Sequence, residues 1–299
     1  MRFSVQTDSV RLLKEAAKSR CDRVRFGPEF CEVKIPSLPE LQKAYEIAEK
    51  HGKEFVYVTP RVTDKGIRRL KEHFEFLNAA GDVSVVVNDL GALRVLTAYP
   101  RLKPILGRQL VYMPARCPWL EFSLGELLRH PGFVIYTKVW RRRSEELYSQ
   151  TNLNYDETAK FFRGLGVQGV DVDWIPRSFN SLAELAEKGF NVNVYLYLAV
   201  VTLTRKCHTA RFLGEKRLEK CSKPCDKRAF HLKHRVGLEF FLHGNVVFRL
   251  EKPSEKDLKR LLKSKITDFV ITMEPVMKIL NRKGIDETIS KFKSGRTLS

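Results

Sequence analysis

Val83-Ser84-Val85-Val86-Val87-Asn88-Asp89-Leu90-Gly91-Ala92-Leu93-Arg94-Val95-Leu96 contains one complete unit of the fold. Its first five residues are rich in β-branched side chains and bounded by polar ones, the pattern of a buried strand. The stretch from Leu90 to Tyr99 then takes up helical spacing.

The same alternation continues in both directions. Upstream lie strands Phe3–Gln6, Arg23–Gly27 and Glu54–Thr59. Between them, helices are predicted over Val10–Lys18 and Leu38–Lys50, the latter with apolar Leu41, Tyr45 and Ala48. Thr63-Asp64 can cap a helix running to Ala80, with Gly81 as its stop. Downstream, strands are predicted at Lys103–Leu106, Phe133–Lys138, Val167–Asp173, Val192–Leu198 and Asp268–Met273. Pro104 weakens the first of these, because it cannot donate to a ladder. Helices at 155–164, 179–188, 255–264 and 275–282 intervene.

Short apolar strands separated by helices imply a parallel sheet covered on both faces. About eight such units in one chain suggest a (β/α)8-like (TIM-type) barrel, with a doubly wound open sheet as the alternative. No Pro/Gly-rich linker divides the 299 residues, so a single barrel-like domain over 1–299 is expected. Within it, Arg205–Arg235 reads as an insertion after the strand Val192–Leu198, and the loop after a barrel strand lies on the catalytic face. A hairpin, Leu238–Leu242 and Val246–Leu250 around His243-Gly244-Asn245, follows.

The net charge of +19 favours anionic partners, RNA among them. With 43% hydrophobic residues, the chain can bury a core. The apolar run Val194–Val201 is far below the ~20 residues of a membrane helix. The N-terminus shows no signal-peptide pattern, so a cytoplasmic location with no membrane span is expected. In that reducing compartment six cysteines do not read as a disulfide framework.

Three of the six, Cys207, Cys221 and Cys225, fall in the insertion with spacing C-x13-C-x3-C. The insertion carries 11 Lys or Arg against Glu215, Glu219 and Asp226. Cations beside thiols favour thiolates, and thiolates bind metal. A fourth thiolate would complete tetrahedral zinc or a cubane cluster, and the spacing leaves both open. His208, beside Cys207, is a candidate for a supporting hydrogen bond. Cys21 and Cys117 read as small buried residues.

Three segments carry a resemblance. Arg205-Lys206-Cys207-His208-Thr209-Ala210-Arg211 with Lys220-Cys221-Ser222-Lys223-Pro224-Cys225, preceded by Tyr197-Leu198-Ala199, is the first. Val24-Arg25-Phe26-Gly27-Pro28-Glu29-Phe30-Cys31 and Asn88-Asp89-Leu90-Gly91 are the others. Together they resemble the collagenase-like peptidase superfamily, in its UbiV-like branch of ubiquinone biosynthesis. The resemblance implies a 4Fe-4S cluster on Cys31, Cys207, Cys221 and Cys225. It also implies oxygen-independent hydroxylation, a UbiU-like protein partner and a small-molecule oxygen donor such as prephenate. Relatives in the same superfamily hydroxylate RNA, and some members were first described as peptidases.

Two residues are candidates for substrate chemistry. Asp171 and Asp173 share one strand face, and Asp173, nearer the C-terminal end, is the better acid or base. Arg108, just past the strand at 103–106 and followed by Gln109, could grip a carboxylate bidentately. Trp140 with Arg141-Arg142-Arg143 pairs an aromatic with cations, as single-strand binders do.

Gly164-Leu165-Gly166-Val167-Gln168-Gly169 matches G-x-G-x-x-G but follows a helix and leads into a strand. It is therefore a helix stop and turn and not a dinucleotide fingerprint. The remaining alternatives are a zinc-stabilised RNA-binding protein and a peptidase. The sequence holds neither G-x-S-x-G nor H-E-x-x-H.

Overall fold

A computed structural model describes residues 1–111, 113, 149–215, 217–233, 239–273 and 281–294. Eight parallel strands close on themselves. They are β1 (Arg2–Thr7), β2 (Arg23–Phe26), β3 (Glu54–Val58), β4 (Val83–Val87), β5 (Leu102–Leu106), β6 (Gly169–Asp173), β7 (Asn191–Leu203) and β11 (Asp268–Thr272). Each pairs with the next in chain order, and β11 joins both β7 and β1. This is the α/β TIM-type barrel that the strand–helix alternation implies.

The helices around it are α1 (Val10–Ala17), α2 (Leu38–Lys50), α3 (Asp64–Ala80), α4 (Leu90–Leu96), α5 (Asp156–Gly164), α6 (Phe179–Glu187), α8 (Glu255–Lys263) and α9 (Arg282–Ser294). The short α7 (His208–Phe212) belongs to the insertion. Local chemistry sets several helix starts. The Asp89 side chain accepts from the N–H groups of Gly91 and Ala92, and Ser37 and Glu40 form a reciprocal cap on α2. Thr63 occupies the N-cap position of α3 without a side-chain cap bond; its hydroxyl donates to Glu32 at 2.7 Å instead. The predicted strand Phe133–Lys138, Cys117, Trp140–Arg143 and most of the predicted helix 275–282 lie outside the described residues.

Outward side chains of the strands, among them Val24, Phe26, Phe55, Tyr57, Val85, Val170 and Val194, pack under the helices in one large core. Cys21 is buried there as expected. Inward side chains divide the barrel lumen. Val56, Val58, Val86 and Ile105 form an apolar half on β3, β4 and β5. Gln6, Arg25, Asp171, Asn193 and Tyr195 form a polar half on β1, β2, β6 and β7, all buried.

β7 extends five residues beyond the predicted end at Leu198. Up to Leu196 it pairs with β11 inside the barrel; from Tyr197 onward it pairs antiparallel with β10 (Val246–Glu251). Tyr197 takes a left-handed φ of 72° at the point of exit. The sheet then continues through β9 (Glu239–His243) to β8 (Phe230–Lys233). An antiparallel platform thus rises from the C-terminal mouth of the barrel and carries the cysteine-bearing insertion.

One buried pair in the wall makes stability depend on pH. The Tyr57 hydroxyl lies 2.7 Å from His73 Nδ1, and both side chains are buried. Burial, with the charge of Arg69, lowers the His73 pKa to about 4. An unfolded histidine titrates near 6.5, so its stabilising effect is complete above that pH and is lost as pH falls toward 4. Between pH 7 and 4.5 this site is expected to cost about 2–3 kcal/mol. Urea unfolding at the two pH values checks this, and His73→Leu should flatten the acid limb.

Candidate functional site

Three loops and the platform meet above the barrel. β2 ends at Gly27, whose φ of +129° and whose amide, bonded to Thr7 O at 3.1 Å, turn the chain back across the mouth. A Cβ there would stand 2.1 Å from Val58 O, so only glycine fits. The turn carries Glu29 into the lumen and brings Cys31 to the rim, followed by a 3-10 turn over Glu32–Lys34.

Arg108, after β5, is the centre of the buried polar network. Its Nε and Nη2 bond both oxygens of Glu29, at 2.7 and 2.6 Å. Its Nη1 reaches Asp173 at 2.7 Å and Leu198 O at 2.8 Å. The guanidinium lies 3.7 Å from the Tyr195 ring centroid. Below it, Asp171 accepts from Arg25 at 2.8 Å, Asn193 at 2.9 Å and Tyr195 at 3.1 Å. Gln6 links the two levels, donating to Glu29 and accepting from the Tyr195 hydroxyl.

Three carboxylates therefore share two guanidiniums, all with side chains less than a tenth exposed. Burial pushes the Glu29 pKa up against the pull of Arg108, and Asp171 and Asp173 add to the rise. Burial opposes the Arg108 charge, but Glu29 and Asp173 more than offset this, so the guanidinium stays protonated. Tyr195 is held well above its ordinary value by burial and remains a hydroxyl donor.

The four rim cysteines come from separate segments and are free thiols. Neighbouring thiols add to the rise at three of them: Cys207 at Cys31, Cys221 at Cys207, and both Cys31 and Cys207 at Cys225. Burial pushes Cys225 up to about 12 and raises Cys31 and Cys207 as well. A backbone N–H already points at one sulfur, that of Ala210 at Cys207. The Ala210 bond is 3.4 Å long. Lys34 sits among them, joining Asp8 at 2.6 Å and Asp226 at 2.7 Å.

Among the described residues, no three His, Cys, Asp or Glu side chains form a group that could hold a metal ion as they stand. The thiols do not converge on one point. A cubane cluster holds its thiolates farther apart than a single zinc ion does, because they lie outside a block of iron and sulfide. Four thiols, one of them with an N–H donor on its sulfur, and Lys34 beside Cys31 and Cys225 fit such a cluster in kind.

The sequence-predicted residues separate here. Cys31 and Cys225 line one cavity with Arg108, which bonds Asp173, while Cys207 caps α7 and Cys221 lies outside that lining. A cavity of ≈ 60 Å³ is lined by Cys31, Cys225, Glu29, Arg108, Lys34 and His243, and joins the two levels. A second, of ≈ 450 Å³, shares Asp8, Lys34 and His243 with it and opens to Arg11, Glu40 and Lys223. His208 is exposed, while the imidazole bonded within the cysteine region is that of His243, with Nε2 2.8 Å from Cys225 O. Glu29, Arg25, Gln6 and Tyr195 were not singled out from sequence. The available signal was polar residues at alternate positions in otherwise apolar strands.

No family model matches the chain, and no curated protein matches it. Among solved structures it is similar to the U32 peptidase Mk0906, at 11% identity and a TM-score of 0.44, over 91% of this chain and 92% of that one. It is also similar to dihydropteroate synthase (FolP) from Thermus thermophilus, at 11% identity and a TM-score of 0.42, over 98% and 93%. A third is orotidine 5'-monophosphate decarboxylase from Sulfolobus solfataricus, at 12% identity and a TM-score of 0.36, over 65% and 76%.

Proposed function

We propose that this chain is an iron–sulfur protein of the collagenase-like peptidase superfamily, of the UbiV type, acting in oxygen-independent hydroxylation. Cys31, Cys207, Cys221 and Cys225 would hold a 4Fe-4S cluster. The observation that carries the reading is that Cys31 and Cys225, 194 residues apart in sequence (225 − 31), line one cavity with Glu29 and Arg108 of the buried charged network. The cluster would supply one-electron redox chemistry when bound.

The chain's own residues have separable parts in this reading. Arg108 keeps Glu29 and Asp173 in fixed orientation beneath the rim. The larger of the two cavities, bordered by Arg11, Lys34 and Lys223 and by Asp8, Glu40 and Asp226, would admit a polar donor such as prephenate, its carboxylates meeting the cations. A quinone precursor would be the substrate and a UbiU-like protein the partner.

A second reading, with RNA as substrate, draws on Phe212. It is 76% exposed on the insertion, packs edge-on against Phe230, and follows Arg211. RNA retained through a high-salt wash would favour it over the quinone reading.

Anaerobic purification followed by iron, sulfide and zinc analysis tests the cluster. The expected result is a brown protein with about four irons per chain, whose visible band bleaches on reduction. Cys31→Ala should lose that iron. A colourless protein carrying zinc would overturn the proposal and leave a zinc-stabilised binding protein.

A further inference from the structure

The tip of the β9–β10 hairpin touches three of the four cysteine-bearing segments. His243 Nε2 donates to Cys225 O at 2.8 Å. Gly244 O accepts from Thr209 N, two residues beyond Cys207, at 3.2 Å. Asn245 Nδ2 donates to Phe30 O, one residue before Cys31, at 2.9 Å, and to Thr204 O at 3.0 Å. Thr204 returns a bond from its amide to Asn245 O at 3.0 Å.

The turn is built for this. Gly244 takes a φ of +62°, and a Cβ there would lie 3.9 Å from Cys225 Sγ. The adjoining strand packs onto the same segment, since Phe248 meets Phe30 edge-on at 5.6 Å. Each cysteine-bearing segment has little regular structure: Cys31 precedes a 3-10 turn, Cys207 caps a five-residue helix and Cys225 lies within a three-residue 3-10 turn. Such segments do not hold a sulfur in place unaided. The hairpin belongs to the sheet that continues β7 out of the barrel, so its backbone is tied by ladder hydrogen bonds to a barrel strand.

We infer that His243-Gly244-Asn245 is the positioning hub of the cysteine site: one rigid turn that fixes the spacing of Cys31, Cys207 and Cys225 through their backbones. His243 and Asn245 act through the ligands' neighbours and touch no reacting atom. The inference rests on the cluster reading above. Groups bonded around metal ligands are typically worth roughly 10–100-fold in metal affinity.

The test uses the full chain, reconstituted anaerobically with iron and sulfide. Asn245→Asp keeps the shape but replaces the donor with an acceptor facing Phe30 O. His243→Phe removes the bond to Cys225 O, and His243→Gln restores a donor. Iron release to a chelator is expected to accelerate roughly tenfold or more in Asn245→Asp and His243→Phe. His243→Gln should recover most of that loss. Circular dichroism of the apo forms should match the parent, which separates positioning from general misfolding. Release rates indistinguishable from the parent's in folded variants would overturn the hub. A parent chain that takes up no iron would instead overturn the cluster reading itself.

Discussion

Arg108→Met should lower the unfolding free energy by about 3–5 kcal/mol, the cost of leaving buried charge without its partner. Four of the arginine's N–H bonds are made to Glu29, Asp173 and Leu198 O, and its side chain is 2% exposed. Methionine fills much of the volume and keeps contact with the Tyr195 ring, so packing alone predicts a small loss. The larger loss comes from the two stranded carboxylates. Chemical denaturation of Arg108→Met beside Arg108→Met/Glu29→Gln separates these causes, because the second change removes one stranded charge. A double variant no more stable than the single one would count against the electrostatic account.

Gly27→Ala should destabilise by a comparable amount, about 3–5 kcal/mol, from left-handed backbone strain and overpacking together. The new Cβ would meet Val58 O at 2.1 Å, an atom of the neighbouring strand's backbone that cannot swing aside. Relief must come from moving the chain after β2, the segment that delivers Glu29 to the lumen and Cys31 to the rim. The same substitution is therefore expected to weaken metal uptake along with stability. Ala at Gly52 is a suitable control: it also has positive φ, at 62°, but no atom lies near the added methyl. The control should cost only the backbone part.

The barrel was legible because its signal is repeated. Among the described residues, the barrel strands from Arg2–Thr7 to Asp268–Thr272 alternate between helix-facing apolar residues and something else, with a helix between most of them. The platform was less legible. β7 passes from parallel to antiparallel pairing at Tyr197 with no glycine or proline to mark the change. β8 is only four residues, three of them exposed, and offers little apolar pattern to read.

The site was partly legible for a similar reason. Cysteines, Arg108 and Asp173 announce their chemistry by residue type. The groups that hold them do not: Gln6, Tyr195, His243 and Asn245 acquire their roles only when strands distant in sequence are brought together. The link between Gln6 and Tyr195 spans 189 residues.

The closing of the barrel by β11 also bears on synthesis. β1 is complete after Thr7, yet one of its two hydrogen-bonding edges waits for residues 268–272. The inner edge of β7 waits for the same strand. A nascent chain therefore carries the open edge of β1 for most of its translation, and that of β7 from residue 203 onward, the kind of surface that chaperones cover. Arg2 and Arg23 then find Asp268 as the last strand arrives, at 2.9 Å each. That late ion pair makes the final residues of the sheet a latch on the first.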